Sequence, residues 1–270
     1  LGLMGFRLEV ESHIVTGAST AIQNLMRCLE PNNVGIMGLV LQPLASAAAV
    51  LTEEEKNLGV ALVDMGGGTT DVAIFVEGSI WETLVLPVGG NHITNDIAFG
   101  LRTPTPVAEE TKVRYGHAVA SAIDGDEVLE IATFGDDRLT TISRRQLCEI
   151  ISARVEELFG LVSREIRRSG FDGLLPAGVV VTGGTANLVG IREVAASVTQ
   201  LPVRAGLPRR LHGLVETINS PAYATGVGLL LWGSTEQAAL VEAKPETSSK
   251  GDWRQRLKEW IRVFFPRVSN

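Results

Sequence analysis

The sequence has 270 residues, of which 45% are hydrophobic and 20% charged, enough apolar material for one large core or two modest ones. A formal net charge of −7 argues against general nucleic-acid binding, and no apolar run reaches the length of a membrane span. Cys28 and Cys148 stand in no metal-ligand spacing and the four histidines are scattered singly, the usage of a chain kept in a reducing compartment.

The chain begins at Leu1 in a stretch not expected to be a signal peptide, and "GFRLEVESHIV" (5–15) alternates like a half-buried strand. Such a beginning is expected of a chain whose N-terminal portion lies upstream. Residues 17–30 have a helical period, with Ser19 or Thr20 as cap. Residues 33–57 are expected to hold a short buried strand, a turn at Gln42–Pro43 and an Ala-rich helix. The β-branched, apolar stretch 59–90 reads as three strands joined by glycine turns, followed by a helix from Asn91 through Leu101. Residues 102–175 mix a helix ("PVAEETKVRYG"), a strand ("EVLEIATF") and a long amphipathic helix from about Ser143 to Ser169. "GVVVTGG" (178–184) is a buried strand running into a glycine turn and a further helix. Strands alternating with helices in this way predict an α/β fold with buried sheets.

The globular part is expected to end near Gly233. Residues 233–250 are polar, small and Pro/Ser-bearing, a linker whose reach as coil would be about 20–25 Å. Beyond it, Trp253, Leu257, Trp260, Ile261 and Phe264 fall within an arc of roughly 100° on a helical wheel. Arg254, Lys258, Glu259 and Arg262 take the other side, and Arg256 lies at the boundary where its stem can snorkel. Asp252 would cap this helix and Pro266 would stop it. At about 21 Å it is too short to cross roughly 30 Å of hydrocarbon. It would instead lie in a membrane surface, dock in a partner's groove or fold back on the chain's own core. Residues 251–270 carry a net charge of +3 against −10 for the rest, which suits attraction to anionic lipid headgroups. The long tether weighs against folding back.

Three stretches carry the chemistry. In "DMGGGTTD" (64–71), Gly66, Gly67 and Gly68 let backbone N–H groups approach an anion, and Thr69 and Thr70 add hydroxyls. Asp64 at the strand end would meet a phosphate only through a cation such as hydrated Mg²⁺. The alternative is a glycine-rich hairpin holding nothing, but Asp, three Gly, Thr and Asp in this order favour phosphate. In "VVVTGGTANLVGI" (179–191), Gly183 and Gly184 would let a sugar and base lie against the backbone near a helix N-terminus, although paired glycines also close ordinary strand–helix turns. In "AEETKVRYG" (108–116), Glu109 or Glu110 shares a helix face with Lys112, which alone would be a solvated charged face.

Together, "LQPLASAAAVLTEEEKNLGVALVDMGGGTTDVAIF", "GNHITNDIAFGLRTPTPVAEETKVRYG" and "VVVTGGTANLVGI" resemble the actin-like ATPase superfamily, and within it the FtsA branch of bacterial cell-division proteins. The likeness continues through "LPVRAGLPRRLHGL" and "SPAYATGVGLLLWG", and "GDWRQRLKEWI" is similar to that branch's amphipathic membrane-targeting helix. The resemblance implies an actin-like (ribonuclease H-like) α/β fold. It divides the chain into the end of subdomain 1C (1–33), part of 1A (34–58), 2A (59–101), 2B (102–175), a return to 2A and 1A (176–232), a flexible linker (233–250) and the membrane-targeting helix (251–270).

It implies ATP and Mg²⁺ as cofactors. Asp64 would sit on the Mg²⁺ shell, and Gly66, Gly67, Gly68, Thr69 and Thr70 around the β/γ-phosphates. Glu109 and Lys112 would reach ribose and base, and Gly183, Gly184 and Thr185 would form the adenosine loop. Gln42 falls where relatives often carry a water-positioning Glu; an amide is no carboxylate base, so any hydrolysis is expected to be slow, with nucleotide chiefly setting polymer state.

The implied partners are the C-terminal tail of the tubulin-like FtsZ, further copies of the chain in an actin-like polymer, anionic lipid and other division proteins, at the cytoplasmic face of the cell membrane at the division site. Arg144, Arg145 and Arg154 would suit an acidic tail, or else form a solvated face. The first phosphate loop of such proteins has no counterpart here, in keeping with a C-terminal portion. A PilM-like scaffold of pilus assembly shares the fold but gives the terminal helix no role. A sugar kinase or chaperone ATPase would need a catalytic carboxylate or a substrate domain that the sequence does not display.

Overall fold

The computed structural model describes residues 7–242, apart from residues 8, 10, 11, 33, 34, 136–138, 210, 212, 214, 215 and 217. Its frame is a five-stranded sheet. β1 (Val60–Met65), β2 (Thr70–Val76) and β3 (Ser79–Leu86) form an antiparallel meander. Two later strands, β6 (Val179–Thr182) and β7 (Val203–Ala205), add parallel to the free edge of β1, giving the order β3-β2-β1-β6-β7. β4 (Val128–Ala132) and β5 (Leu139–Ser143) make a separate antiparallel pair.

Both faces of β1 are covered, and its six residues are all buried. The strand's period of two sends Ala61, Val63 and Met65 to one face and Val60 and Leu62 to the other. The first face packs against helices that include α4 (Gly90–Gly100), α6 (Arg144–Arg168) and α7 (Ile191–Thr199), with Leu147, Ile151, Val155, Leu158 and Val162 forming the apolar stripe of α6. The second face packs against α2 (Gln42–Val50) and the start of α8 (Ala224–Glu242). This two-sided cover explains the continuous apolar run of β1, which the sequence reading takes for a buried strand. The remaining helices are α1 (Ser19–Leu29), α3 (Glu53–Leu58) and α5 (Thr105–Tyr115). Among the described residues no helix is long and apolar enough to cross a membrane.

The strands over 59–90, the helices near 91–101, 105–115 and 143–169, and the strand over 179–182 occur where expected. Several details differ. Gln42 and Pro43 are the first turn of α2 rather than a turn before it, because proline's fixed φ and missing N–H suit a helix start. The expected single helix is two, since Thr52 opens α3 with a capping box to Glu55. Residues 35–41 form no strand and are not buried: Met37 is 80% and Leu39 57% exposed. A strand needs a hydrogen-bonding neighbour, and among the described residues none runs beside this one. Residues 7, 9 and 12–15 likewise show no strand, and the rest of that expected element lies outside the described residues.

The chain divides into two units, Leu1–Trp232 and Gly233–Asn270. In the second unit, residues 233–242 are helical, where a coil linker is expected. Alanine, leucine, glutamine and glutamate there favour helix, and the first proline comes only at Pro245. Residues 243–270, and with them the expected amphipathic helix, lie outside the described residues.

Candidate functional site

β1 ends at Met65 and the chain turns through Gly66–Thr69 into β2, closed by the Gly66 N–H donating to the Thr69 carbonyl at 2.9 Å. Gly67, Gly68 and Thr69 stand exposed, and a Cβ on Gly68 would meet nothing within 4 Å. The N-terminus of α4 packs behind this turn, its Gly90 and Asn91 amides donating to the carbonyls of Gly66 and Gly67 at 3.0 and 2.8 Å. Gly89 has to be glycine, since a Cβ there would fall 2.6 Å from the Gly67 carbonyl oxygen. These bonds tie the turn's carbonyls back to α4.

The second glycine turn follows β6. Gly183 has φ +86°, and the next residues, Gly184–Asn187, form a short 3₁₀ turn. Thr185 Oγ1 donates to the Gly66 carbonyl at 2.9 Å, tying the two glycine turns together. From α5, Lys112 Nζ donates to Glu109 Oε2 at 2.7 Å, Thr94 Oγ1 at 2.8 Å and the Gly90 carbonyl at 3.2 Å. Thr94 in turn donates to Glu109. Burial pushes the Glu109 carboxyl up, but the hydrogen bonds from Lys112 and Thr94 and the Lys112 charge outweigh it and hold the group below its usual range.

These pieces enclose a cavity of about 310 Å³, within the span of small-molecule sites. Gly67, Gly90, Asn91, Glu109, Lys112, Gly184, Thr185 and Asn187 give it polar edges, and Ile93, Val113, Leu188 and Val189 an apolar wall. An exposed glycine turn suits phosphate, and an apolar wall beside a glycine backbone, with a lysine and a glutamate at its edge, suits a base and sugar. The residues therefore fit a nucleotide.

Of the expected residues, Gly67, Glu109, Lys112, Gly184 and Thr185 are brought together in the lining. Gly66, Gly68 and Thr69 complete the adjoining turn. Thr70 is buried and its hydroxyl donates to the Val88 carbonyl at 2.7 Å, tying the turn to the loop before α4. Gly183 is buried against Asp64: a Cβ on it would lie 2.6 Å from Asp64 Oδ1. Asp64 itself, 2% exposed, lies on the α2/α8 face of the sheet, opposite Asp71 on β2. Gln42 Nε2 reaches Asp64 Oδ2 at 3.3 Å. No cluster of three or more metal-ligating side chains occurs among the described residues.

Sequence reasoning misses Gly89, Gly90, Asn91, Thr94 and Asn187, although the pair of glycines directly before a helix was a readable signal. It also misses Ser46 and Thr225, which reach Asp64 from distant parts of the chain and leave no local sign.

The three arginines lie on α6 and are engaged within the chain. Arg144 donates to the Tyr115 carbonyl and to Glu127, Arg145 to the Ile123 carbonyl at 2.7 Å, and Arg154 to both oxygens of Asp96 at 2.6 and 2.9 Å and to Glu157. The residues expected to face a membrane, Trp253, Arg254, Arg256, Leu257, Lys258, Trp260, Ile261 and Phe264, lie outside the described residues.

Comparison with known proteins places this geometry. The chain is 44% identical over 98% of its length to the Cell division protein FtsA of Pseudomonas aeruginosa, of whose length it spans 65%. Among solved structures it is similar to MreB5 of Spiroplasma citri bound to ADP, with TM-score 0.68 and 18% identity over 83% of this chain and 68% of that one. It is also similar to the MamK double helical filament, with TM-score 0.58 and 16% identity over 80% of this chain and 66% of that one. The mixed α/β fold is thus actin-like. The family described as Cell division protein FtsA matches residues 61–228, from the second residue of β1 to Gly228 in α8, and the chain belongs to that family.

Proposed function

We propose that the chain is the nucleotide-binding portion of an FtsA-type actin homologue that polymerises and ties FtsZ filaments to the cytoplasmic face of the cell membrane, recruiting later division proteins. In this reading residues 59–101 belong to subdomain 2A, 102–175 to 2B, 176–232 to the return through 2A and 1A, and 1–58 to parts of 1C and 1A. ATP lies in the cavity between the two glycine turns. Its phosphates lie against the turn Gly66–Thr69, and Glu109 and Lys112 reach the ribose and base. Mg²⁺, when bound, neutralises phosphate charge from the Asp64 side. Gln42, an amide beside Asp64, can orient water but cannot take its proton, so hydrolysis is slow and nucleotide acts chiefly on polymer state. Residues 251–270 supply the lipid-facing helix, and many such helices along a polymer anchor it where one would not. The family match favours this reading over a pilus-assembly scaffold, a sugar kinase or a chaperone ATPase.

The observation that carries the nucleotide assignment is the bond from Thr185 to Gly66, which closes one cavity from two sequence-distant glycine turns with Lys112 at its edge. The test is titration of a fluorescent ATP analogue. Lys112→Ala is expected to weaken binding about tenfold or more, the scale of a lost charged hydrogen bond. Arg114→Ala, which breaks only an exposed pair with Glu110, is expected to leave it unchanged. Equal affinity in both variants and the parent would sink the assignment.

A further inference from the structure

The Asp64 carboxylate is held in a way that neither a glycine-loop motif nor a cation shell explains. Three side chains converge on its Oδ2: Ser46 Oγ at 2.6 Å, Thr225 Oγ1 at 3.2 Å and Gln42 Nε2 at 3.3 Å. Ser46 and Thr225 are also within 2.9 Å of one another. Ser46 and Gln42 come from α2, Thr225 from the first turn of α8, and Asp64 from the central strand. The two helices meet at the same place: a Cβ on Gly228, one turn beyond Thr225, would fall 1.8 Å from the carbonyl oxygen of Ala45. Asp64 and Ser46 are both buried, at 2% and 0% exposure. The other carboxylate oxygen, Oδ1, lies against Gly183, where the loop that lines the cavity begins.

A buried carboxylate without donors is costly, and three donors on one oxygen offset that cost and hold its rotamer. The arrangement commits Oδ2 to the two helices and leaves Oδ1 on the side of the glycine turns. We propose that Ser46 and Thr225 are positioning residues for Asp64, and that through this shared carboxylate the α2/α8 crossing and the seat of the nucleotide's cation behave as one unit. The proposal rests on the nucleotide reading for its cation arm, while the coupling of the two helices stands without it. Thr225 and Asp64 are 161 residues apart in sequence and Ser46 and Asp64 18, so the link is a product of the fold alone.

The full chain serves for the test, with Thr225→Val, the near-isosteric loss of the hydroxyl, Thr225→Ser, which keeps it, and Ser46→Ala. In a Mg²⁺ titration of ATP binding, Thr225→Val is expected to raise the Mg²⁺ concentration for half-maximal effect about five- to tenfold. Affinity in excess chelator should move less, and Thr225→Ser should restore the parent curve. A Thr225→Val curve that overlays the parent's, whatever its melting temperature, overturns the cation arm.

Hydrogen exchange without nucleotide tests the coupling by itself. Ser46→Ala, a change in α2, is expected to speed exchange of the α8 amides Gly228–Trp232 as well as those of Ala47–Val50. Acceleration confined to α2 overturns the coupling. A parent chain that binds no ATP at any Mg²⁺ concentration would sink the nucleotide reading and with it the cation arm, and the exchange measurement would still decide the coupling.

Discussion

At the scale of single residues, Asp71 is a buried carboxyl held beside a second one. It is 7% exposed and faces Asp64 across the β1–β2 pair. Burial first, and the Asp64 charge second, push its carboxyl up, against a smaller pull from the Thr69 side chain. A raised carboxyl holds its proton more tightly in the folded chain than in the unfolded one. Stability therefore falls as pH rises from the ordinary Asp range through the raised value, and stays lower above it. Asp71→Asn is expected to raise the melting temperature at neutral pH, with the gain vanishing at about pH 3, where the parent side chain is protonated in both states.

A second test at this scale separates two glycines of one helix. Gly228→Ala drives a methyl into the Ala45 carbonyl and should cost at least about 1–3 kcal/mol in denaturant unfolding. Gly226→Ala, with nothing within 4 Å, should be neutral or stabilise by up to about 1 kcal/mol through helix propensity. Neither outcome was legible in "ATGVGLL", where the two glycines look equivalent. Gly67 and Gly184 of the lining were legible because a glycine turn is a local signal. Ser46 and Thr225 were not, because a lone hydroxyl on a helix carries no period.

Among elements, α3 shows how a short helix is held. Glu55 closes its capping box and also receives Arg204 of β7 at 2.5 and 2.6 Å, while the same guanidinium donates to the Val50 carbonyl at 2.9 Å. Burial raises the Glu55 carboxyl, but the Arg204 hydrogen bonds, the Thr52 amide and the charges of Arg204 and Arg209 together hold it below its usual range. A lowered carboxyl contributes stability that is present above the ordinary Glu value and lost as pH falls through the lowered one. Glu55→Gln is expected to cost about 1–2 kcal/mol at neutral pH and close to nothing at about pH 2, read by urea unfolding at each pH.

The capping box itself could be read from Thr52 and Glu55; the arginine on the third side could not. Periodicity located the long helices and buried strands because each repeats its signal over several turns or residues. It failed over 35–41, where an apolar run alone cannot tell a paired strand from an unpaired one.

For the whole molecule, the division at Gly233 separates two tasks in the proposed function. Removing residues 251–270 is expected to abolish sedimentation with anionic vesicles and leave ATP affinity unchanged. Trp260→Glu in the full chain should likewise abolish sedimentation, and a mutant that sediments like the parent would remove the membrane claim. The α/β class was legible from alternating periods. The strand order was not, since nothing in "GVALVDM" says that its second neighbour lies beyond Gly178.

That strand order bears on how the chain is made. β1 finds β2 and β3 within moments of leaving the ribosome, but its other edge stays bare until β6 has been synthesised. At ordinary elongation rates the wait is on the order of ten seconds. During it, the apolar edge of the nascent meander is open to pairing with a neighbouring polypeptide. Newborn chains on crowded polysomes are therefore most at risk of aggregation between the translation of Met65 and of Thr182, and a holdase that shields β1 in that interval would do more for yield than one acting on the finished fold.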